Sequence, residues 1–298
     1  MYKELALIAP TASGKTAVSI NLAHKLNAVI LSLDSLAVYK YIDIASAKPS
    51  LEERDGIIHF GVDNVLPNQQ FDVIEFIDEY KRAKEYAIQH DKNLIIVGGT
   101  GFYLKALVDG LSVTPKISID TVNKVQQKLL NLDDAYQELN KVDSNYMKNI
   151  SKNDKYRIEK ALSIYTQTGM SPTDFFNFNQ PKPIIINNIN IYEIKTEVDV
   201  LRKRIEKRTI QMINNGIIDE VIYLEKEFTR EPSCMGSIGI YETLDYLDGK
   251  INKDQLKEQI FIHTSQLAKR QRTFNKSQFK NIYAYSLENI EKKILSMV

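Results

Sequence analysis

Residues 9–16, Ala-Pro-Thr-Ala-Ser-Gly-Lys-Thr, follow directly on the apolar residues 5–8 and constrain the fold more than any other segment. A buried strand that enters a loop of small residues ending in Gly-Lys-Thr is typical of the P-loop. Main-chain N–H groups of such a loop, and the N-terminus of the helix after it, surround phosphate. Lys15 would reach the terminal phosphates and the Thr16 hydroxyl would hold Mg²⁺. Ala9 stands where the motif usually has Gly, and an Ala at this position is tolerable only with a negative φ. The flanking strand and helix favour a site for linked phosphates over a turn that resembles the motif by chance. Which phosphorylated ligand the site holds stays open at this point.

Strand and helix patterns alternate along the first hundred residues. Residues 17–26 carry apolar side chains at helical spacing, and residues 29–33 form a short apolar run typical of a buried parallel strand. Residues 71–89 predict a second helix, and residues 93–97 a strand that ends at Gly98-Gly99. This order predicts a P-loop NTPase-like α/β core with a doubly wound parallel sheet. No Asp follows the third strand, which weakens the case for a nucleotide hydrolase.

An all-helical module is predicted at residues 115–183, inserted into a core made of residues 1–114 and 184–298. Residues 122–139 are polar and predicted to be helical, and the run Pro181-Lys182-Pro183 separates the module from the next segment of the core. In that segment we expect a β-like stretch at 184–194 and helices at 201–215 and from there to about residue 228.

Composition argues against some classes of protein but does not identify a ligand. Lys and Arg number 39 and Asp and Glu 38, so the net charge of +1 argues neither for nor against nucleic acid. The single cysteine, Cys234, allows no intrachain disulfide and is expected to be a small buried side chain. We see no signal peptide and no apolar run of the roughly 18 residues that a membrane span needs. A cytoplasmic protein without a membrane segment is expected.

Three polar side chains are candidates for chemistry beside the phosphate loop. Asp34 follows the second strand, where a carboxylate could bind Mg²⁺ through water, act as a general base, or only form a turn. Thr100 follows Gly98-Gly99 and could donate to a phosphate oxygen. Arg208 shares a helical stripe with apolar residues, so it needs an anionic partner, either a structural carboxylate or phosphate.

Residues 259–287 contain no Asp or Glu, although the chain is balanced overall. Five cations lie there, interleaved with aromatic residues: Lys269, Arg270, Arg272, Lys276 and Lys280, with Phe261, Phe274, Phe279, Tyr283 and Tyr285. This mixture suits the backbone and unstacked bases of a nucleic acid. A solvated basic helix whose aromatics face the core explains the segment equally well.

Taken together, the motifs resemble those of the bacterial tRNA dimethylallyltransferases, which prenylate adenosine 37 beside the anticodon. The resemblance spans nearly the whole chain. The stretches that carry it are Pro-Thr-Ala-Ser-Gly-Lys-Thr, Ser32-Leu33-Asp34-Ser35, Val38-Tyr39, Asp43-Ile44, Ala47-Lys48-Pro49, Gly98-Gly99-Thr100, Asp154 with residues 157–162, Thr168-Gly169, Ile238-Gly239, Lys269-Arg270-Gln271 and Thr273.

The resemblance implies that the loop holds the diphosphate of dimethylallyl diphosphate rather than a nucleoside triphosphate. Loop residues implied to bind it are Thr11, Ala12, Ser13, Gly14, Lys15 and Thr16, with Mg²⁺ on Thr16. Asp34 would take the proton from N6 of an adenine that has left the anticodon stack, while Thr100 and Arg208 steady the leaving diphosphate.

The family resemblance also implies an anticodon stem-loop clamped by the helical module and the basic C-terminal segment. Implied tRNA contacts are Asp34, Ser35, Leu36, Ala37, Thr100, Tyr156, Arg157, Ile158, Glu159, Lys160, Gly236, Ser237, Ile238, Gly239, Ile240, Tyr241, Lys269, Arg270, Gln271, Arg272, Thr273, Phe274, Asn275 and Lys276. The family commonly has Gln at position 37, Thr-Trp-Phe at 273–275 and Gln-Ala-Ile-Gly-Tyr at 236–240, so the base requirements of this chain near adenosine 37 stay open. We expect a monomer.

Three rival functions share the phosphate loop. A P-loop small-molecule kinase would also need a lid with Arg residues and an adenine pocket. A nucleic-acid-binding regulatory module would carry the loop as a vestige. An enzyme that prenylates free adenine nucleotides would need neither the helical module nor the basic segment.

Overall fold

The sheet that carries the phosphate loop is entirely parallel. A computed structural model describes residues 2–112, 114–186 and 188–297, and within them six strands pair in the order β3-β2-β4-β1-β5-β6. The strands are β1 (Glu4–Ile8), β2 (Ala28–Leu33), β3 (His59–Phe60), β4 (Asn93–Gly98), β5 (Asn190–Lys195) and β6 (Ile282–Ser286). The predicted P-loop NTPase-like α/β core is confirmed. The short edge strand β3 and the edge strand β6 were not predicted.

The helices alternate with the strands in the first part of the chain and dominate the rest. They are α1 (Lys15–Lys25), α2 (Val73–Gln89), α3 (Gly101–Asp109), α4 (Ile119–Lys128), α5 (Leu132–Val142), α6 (Ser144–Met147), α7 (Lys155–Thr168), α8 (Pro172–Phe178), α9 (Val198–Asn214), α10 (Ile217–Phe228), α11 (Ile240–Leu247), α12 (Lys253–Gln278) and α13 (Leu287–Met297). A short 3₁₀ turn, Ser233–Gly236, precedes α11.

Both faces of the sheet are covered by helices. On one face, side chains of α1 and α13 join Leu5, Leu7 and Val97 in a single buried cluster. Because successive side chains of a strand alternate, Ala6, Ile8 and Ile96 point to the other face. There α2 packs against β2 and β4 with its buried aromatic and small side chains. A parallel sheet buried on both faces explains why its central strands are continuous apolar runs.

The chain divides into two compact units, Met1–Val108 with Ile185–Val298, and Asp109–Ile184. Helices α4 to α8 build the second unit around a core that includes Val125, Leu139, Met147, Ile158 and Leu162. The predicted module, residues 115–183, lies inside this unit.

Residues 122–139 are helical as predicted, and the structure divides them between two helices. Helix α4 ends before Leu129, and Asn131 then caps α5 by accepting a hydrogen bond from the Asp134 N–H. Asn followed by two Asp residues is a helix-start signal, and it interrupts an otherwise continuous helical pattern.

The structure bears on two features considered from composition, the single cysteine and the apolar character of the helices. Cys234 is buried, as expected for a structural thiol. Among the described residues no helix has both the length and the apolar character that crossing a bilayer demands.

Candidate active site

The phosphate loop leaves β1 at Ile8 and enters α1 at Lys15, as the motif predicts. Two of its residues are left-handed: Ala12 has φ 61°, and Gly14, the N-cap of α1, has φ 92°. Ala9 is not among the left-handed residues of the described chain, so the requirement placed on it is satisfied. Alternating left-handed residues turn successive N–H groups toward one point, which is the geometry of an anion nest. The strained non-glycine position of the loop is therefore Ala12, which the sequence pattern did not reveal.

Lys15 projects from the first turn of α1 into a cavity of about 350 Å³ at the carboxyl ends of the strands. Burial and, to a smaller extent, the nearby Arg208 charge together lower the pKa of its ammonium to about 8, while Asp34 opposes the shift. Thr16 is exposed at the same cavity. Two cations share a partly desolvated cleft, an arrangement that a polyanion stabilises.

Asp34 forms the turn that was one of the roles its position allowed, and it leaves one carboxylate oxygen uncommitted among the described residues. One carboxylate oxygen, Oδ1, accepts hydrogen bonds from the N–H groups of Leu36 (2.9 Å) and Ala37 (3.2 Å), which closes a turn after β2. No described protein group donates to the other oxygen, Oδ2. Asp34 lines the cavity, so its second oxygen is open to a ligand.

The turn after β4 packs too closely to accept side chains at its glycines. A Cβ on Gly98 would collide with the carbonyl of Leu33, and one on Gly99 would collide with the side-chain amide of Gln271. Thr100 donates its main-chain N–H to the carbonyl of Leu33 at 3.0 Å, which ties the turn to the end of β2. Thr100 and Asp34 both line the cavity at the carboxyl ends of the strands.

Arg208 extends from α9 into the cavity, while Leu201, Ile205 and Met212 of the same stripe are buried. Its guanidinium donates to Thr11 Oγ1 (3.0 Å) and to the carbonyl of Ser46 (3.3 Å). Within the described part of the chain it makes no salt bridge, so the structural carboxylate considered as its partner is not found. Burial, partly offset by Asp34, lowers the pKa of Arg208. A cation held only by neutral groups is available to an anionic ligand.

The wall opposite the phosphate loop, residues 42–49, is held by two side chains that the sequence analysis gave no role. Glu220 of α10 accepts the N–H groups of Asp43 (2.8 Å), Ile44 (2.7 Å) and Ala45 (2.9 Å). Lys48 is buried and pairs with Asp43 (2.6 Å) and Asp63 (2.5 Å). The motif Ala47-Lys48-Pro49 was a signal for this wall. Nothing in the sequence marked Glu220, because its partners lie far away along the chain.

The cavity brings together many, but not all, of the predicted site residues. Those that line it are Thr11, Lys15, Thr16, Asp34, Ser35, Leu36, Ala37, Thr100, Arg208, Gly236, Ser237, Ile238 and Gln271. Ala12, Ser13 and Gly14 belong to the loop but do not line the cavity; Ser13 is buried, with its hydroxyl lacking a described partner.

The predicted tRNA contacts outside the cavity fall into exposed and buried groups. Exposed are Tyr156, Arg157, Lys160, Tyr241, Lys269, Arg270, Arg272, Thr273 and Lys276. Glu159 and Phe274 are half-buried, while Ile158, Gly239, Ile240 and Asn275 are buried. These four residues are buried in this conformation. RNA could therefore contact them only if the local structure moved.

The aromatic residues of the basic segment differ in burial: Phe261, Phe274 and Tyr285 are half-buried, and Tyr283 is exposed. Phe279 is buried, and Phe261 packs under the Arg202 guanidinium, 5.6 Å from its ring centre. Tyr283 and Tyr285 belong to β6, where Tyr283 lies opposite Tyr192 of β5. The cationic side chains of α12 face solvent, while most of the aromatics are at least half-buried, so packing explains part of the aromatic content of this segment.

Comparison with known proteins agrees with this geometry. A family model described as IPP transferase matches residues 37–278. The tRNA dimethylallyltransferase of Aliarcobacter butzleri is 55% identical over 295 residues, 98% of each chain. That of Campylobacter jejuni is 48% identical over 276 residues, 93% of this chain and 92% of its own.

Solved structures show the same fold. The full-length tRNA isopentenylpyrophosphate transferase of Bacillus halodurans aligns with 100% of this chain and 95% of its own, with TM-score 0.73 and 28% identity. A eukaryotic dimethylallyltransferase, captured in crystallographic snapshots acting on tRNA, aligns with 99% of this chain and 78% of its own, with TM-score 0.84 and 26% identity.

A P-loop α/β core, a cleft suited to linked phosphates and these relatives together define an enzyme of the prenyltransferase class. The chain belongs to the tRNA dimethylallyltransferase family. The resemblance inferred from the motifs is thereby confirmed.

Proposed function

We propose that this enzyme transfers the dimethylallyl group of dimethylallyl diphosphate to N6 of adenosine 37 in tRNA. N6 attacks C1 of the prenyl group, the C1–oxygen bond breaks, and the diphosphate leaves with the bonding electron pair. The proton lost from N6 passes to a base. The products are N6-(dimethylallyl)adenosine in tRNA and diphosphate.

The observation that carries the proposal is a cleft with two cations that make no salt bridge among the described residues. Lys15 and Arg208 both reach the cavity, and neither makes a salt bridge within the described residues. Loop N–H groups and the N-terminus of α1 add partial positive charge. Charge that builds up on a departing diphosphate would be stabilised by donors already in place.

Asp34 is suited to the base role, because Oδ1 is committed to the turn while Oδ2 has no described donor. A fixed carboxylate with one open oxygen can accept a proton without having to reorient. Thr100, held by its main-chain bond to Leu33, would present its hydroxyl to the leaving oxygen.

The residues present fit a bound Mg²⁺. The cavity offers the Thr16 hydroxyl and the Asp34 carboxylate, and within the described chain no group of three or more His, Cys, Asp or Glu side chains could hold a metal. Mg²⁺ commonly takes one or two protein oxygens and completes its shell with phosphate oxygens and water. Thr16, and Asp34 through water, would hold the ion, which would neutralise charge on the diphosphate.

The reaction is tested by incubating the purified protein with labelled dimethylallyl diphosphate, Mg²⁺ and unmodified tRNA that contains A36-A37. We expect label in the tRNA at adenosine 37, and a tRNA with A37 replaced by G as control should stay unlabelled. Mg²⁺-dependent binding of ATP without affinity for dimethylallyl diphosphate would instead indicate the kinase. Labelling of free adenine nucleotides in preference to tRNA would identify the mononucleotide enzyme.

We infer that exposed cations of each unit contact the phosphates of the tRNA. In the first unit, Lys269, Arg270, Arg272 and Lys276 face solvent on α12. In the second unit, α7 begins with exposed Tyr156 and Arg157, and the Lys160 ammonium lies 5.5 Å from the centre of the Tyr156 ring. Cations beside an exposed aromatic ring suit an unpaired nucleotide. A tRNA substrate also supports action in the cytoplasm; the monomeric state stays a prediction.

Replacing Lys269 or Arg270 by Ala is expected to weaken tRNA binding and to flatten its dependence on salt. Each lost phosphate contact should reduce the slope of log K against log salt by roughly 1. Filter binding between low and moderate KCl measures both quantities. Lys81→Ala, which removes an exposed lysine of α2, is the control. An unchanged slope in both α12 variants would place these residues away from the RNA.

A further inference from the structure

The phosphate loop is hydrogen-bonded by half-buried side chains of α9 and α12. Gln271 of α12 accepts the main-chain N–H of Thr11 at 2.9 Å through its Oε1. Arg204 of α9 donates to the carbonyl of Ser13 at 3.0 Å. Two residues of the loop are therefore tied to two different helices by bonds that span 191 or more positions of sequence.

Between these two bonds lies Ala12, the loop's left-handed non-glycine residue. Its methyl group packs against the seam formed by Leu201 and Ile205 of α9 and Ala268 of α12. A left-handed φ costs alanine on the order of 1 kcal/mol, and such positions persist where the surroundings over-determine them. Helices α9 and α12 pack directly on each other, so they provide such surroundings.

We propose that Gln271 and Arg204 are positioning residues that hold the phosphate loop in its anion-binding conformation before the ligand arrives. Gln271 also lines the cavity, and we assign its side chain to the phosphate loop, in contrast to the RNA contact implied for it by the family resemblance. Its side-chain amide also lies against Gly99, where any Cβ would collide with it. One side chain thus sets the spacing between the phosphate loop and the turn that carries Thr100.

The proposal rests on the proposed function only in naming diphosphate as the anion, and one measurement is independent of it. Hydrogen exchange of the ligand-free protein, followed in a peptide covering residues 9–16, reports the conformation of the loop itself. Gln271→Met keeps the length of the side chain but accepts no such bond, so exchange of the loop amides should become faster. Gln266→Met, which alters an exposed glutamine of the same helix, should leave the exchange unchanged.

Binding of inorganic pyrophosphate with Mg²⁺, measured by calorimetry without tRNA, should weaken by about 3- to 10-fold in Gln271→Met, the effect of one neutral hydrogen bond. The affinity for tRNA should stay within about twofold of the wild-type value, since no RNA contact is removed. Arg204→Met should likewise speed loop exchange, with Lys203→Met, an exposed neighbour that also loses a cation, as its control.

Loop exchange at the wild-type rate in both Gln271→Met and Arg204→Met overturns the proposal. So does a loss of tRNA affinity in Gln271→Met with unchanged pyrophosphate binding, because that result makes Gln271 an RNA contact. A wild-type protein that binds no pyrophosphate would contradict the proposed function, while the exchange rates would still decide whether the two side chains hold the loop.

Discussion

Asp34→Asn is expected to lower the turnover of prenyl transfer by about 10²-fold or more while tRNA affinity stays close to wild type. An Asn Oδ1 can still accept the N–H groups of Leu36 and Ala37, so the turn after β2 is preserved. The amide that replaces Oδ2 cannot take up a proton from N6. Single-turnover labelling of tRNA with saturating dimethylallyl diphosphate measures the loss directly.

Comparison with Asp34→Ala separates chemistry from structure. The Ala variant loses both the base and the two turn hydrogen bonds, so it should also show weaker donor binding. Asp91→Asn, at an exposed left-handed position (φ 51°) of the turn before β4, is the matched control and should be fully active. Turnover of Asp34→Asn within tenfold of wild type would remove Asp34 from the role of base.

Lys15→Met is expected to weaken the binding of dimethylallyl diphosphate by roughly 10²-fold or more. The variant removes a cation from a partly desolvated cleft, where charge-assisted bonds to phosphate are strong. Calorimetric titration with the donor and Mg²⁺, in the absence of tRNA, is the measurement. Lys25→Met removes an exposed lysine of the same helix and should bind the donor normally.

Because the pKa of Lys15 is lowered, the affinity for the donor should depend on pH in a way that tests this prediction. The wild-type affinity for the donor should fall as pH rises through about 8, where the free ammonium loses its proton, and Lys15→Met should lack this step. Stability of the ligand-free protein should change in the opposite sense. The unfavourable burial of the charged ammonium is fully present below about pH 8 and is relieved between about pH 8 and its unfolded value of 10.5. Donor affinity of Lys15→Met equal to wild type would contradict the role.

Local patterns predicted those parts of the fold that local physics determines. The central strands are uninterrupted apolar runs, and Gly-Lys-Thr placed the start of α1 beside the end of β1. The edge strand β3 has only two residues, too few for any periodicity. Strand β6 alternates aromatic and small residues, but its position after a basic helix left an RNA-facing interpretation of Tyr283 and Tyr285 as open as a packing one.

The sequence predicted many residues of the candidate site, but not the hydrogen bonds that join them. Helical periodicity placed Arg208 on the inward stripe of α9, yet its bonds to Thr11 and Ser46 join segments 197 and 162 positions apart. The resemblance to the family grouped Gln271 with its exposed neighbours on α12. Only the three-dimensional structure shows that this side chain turns the other way and meets the loop.

The pitch of helix α12 places two sets of side chains on opposite sides of one element. Ala268, Gln271 and Asn275 are spaced three and four apart and face inward, while Lys269, Arg270, Thr273 and Lys276 fill the positions between and after them and face outward. The periodicity of this helix therefore directs one set toward the phosphate loop and the other set, with its cations, toward solvent. Insertion or deletion of one residue in this helix would turn everything beyond it by about 100° and move both sets away from their partners. The length of α12 is thus constrained twice, by the small ligand on one side and by the charged face on the other.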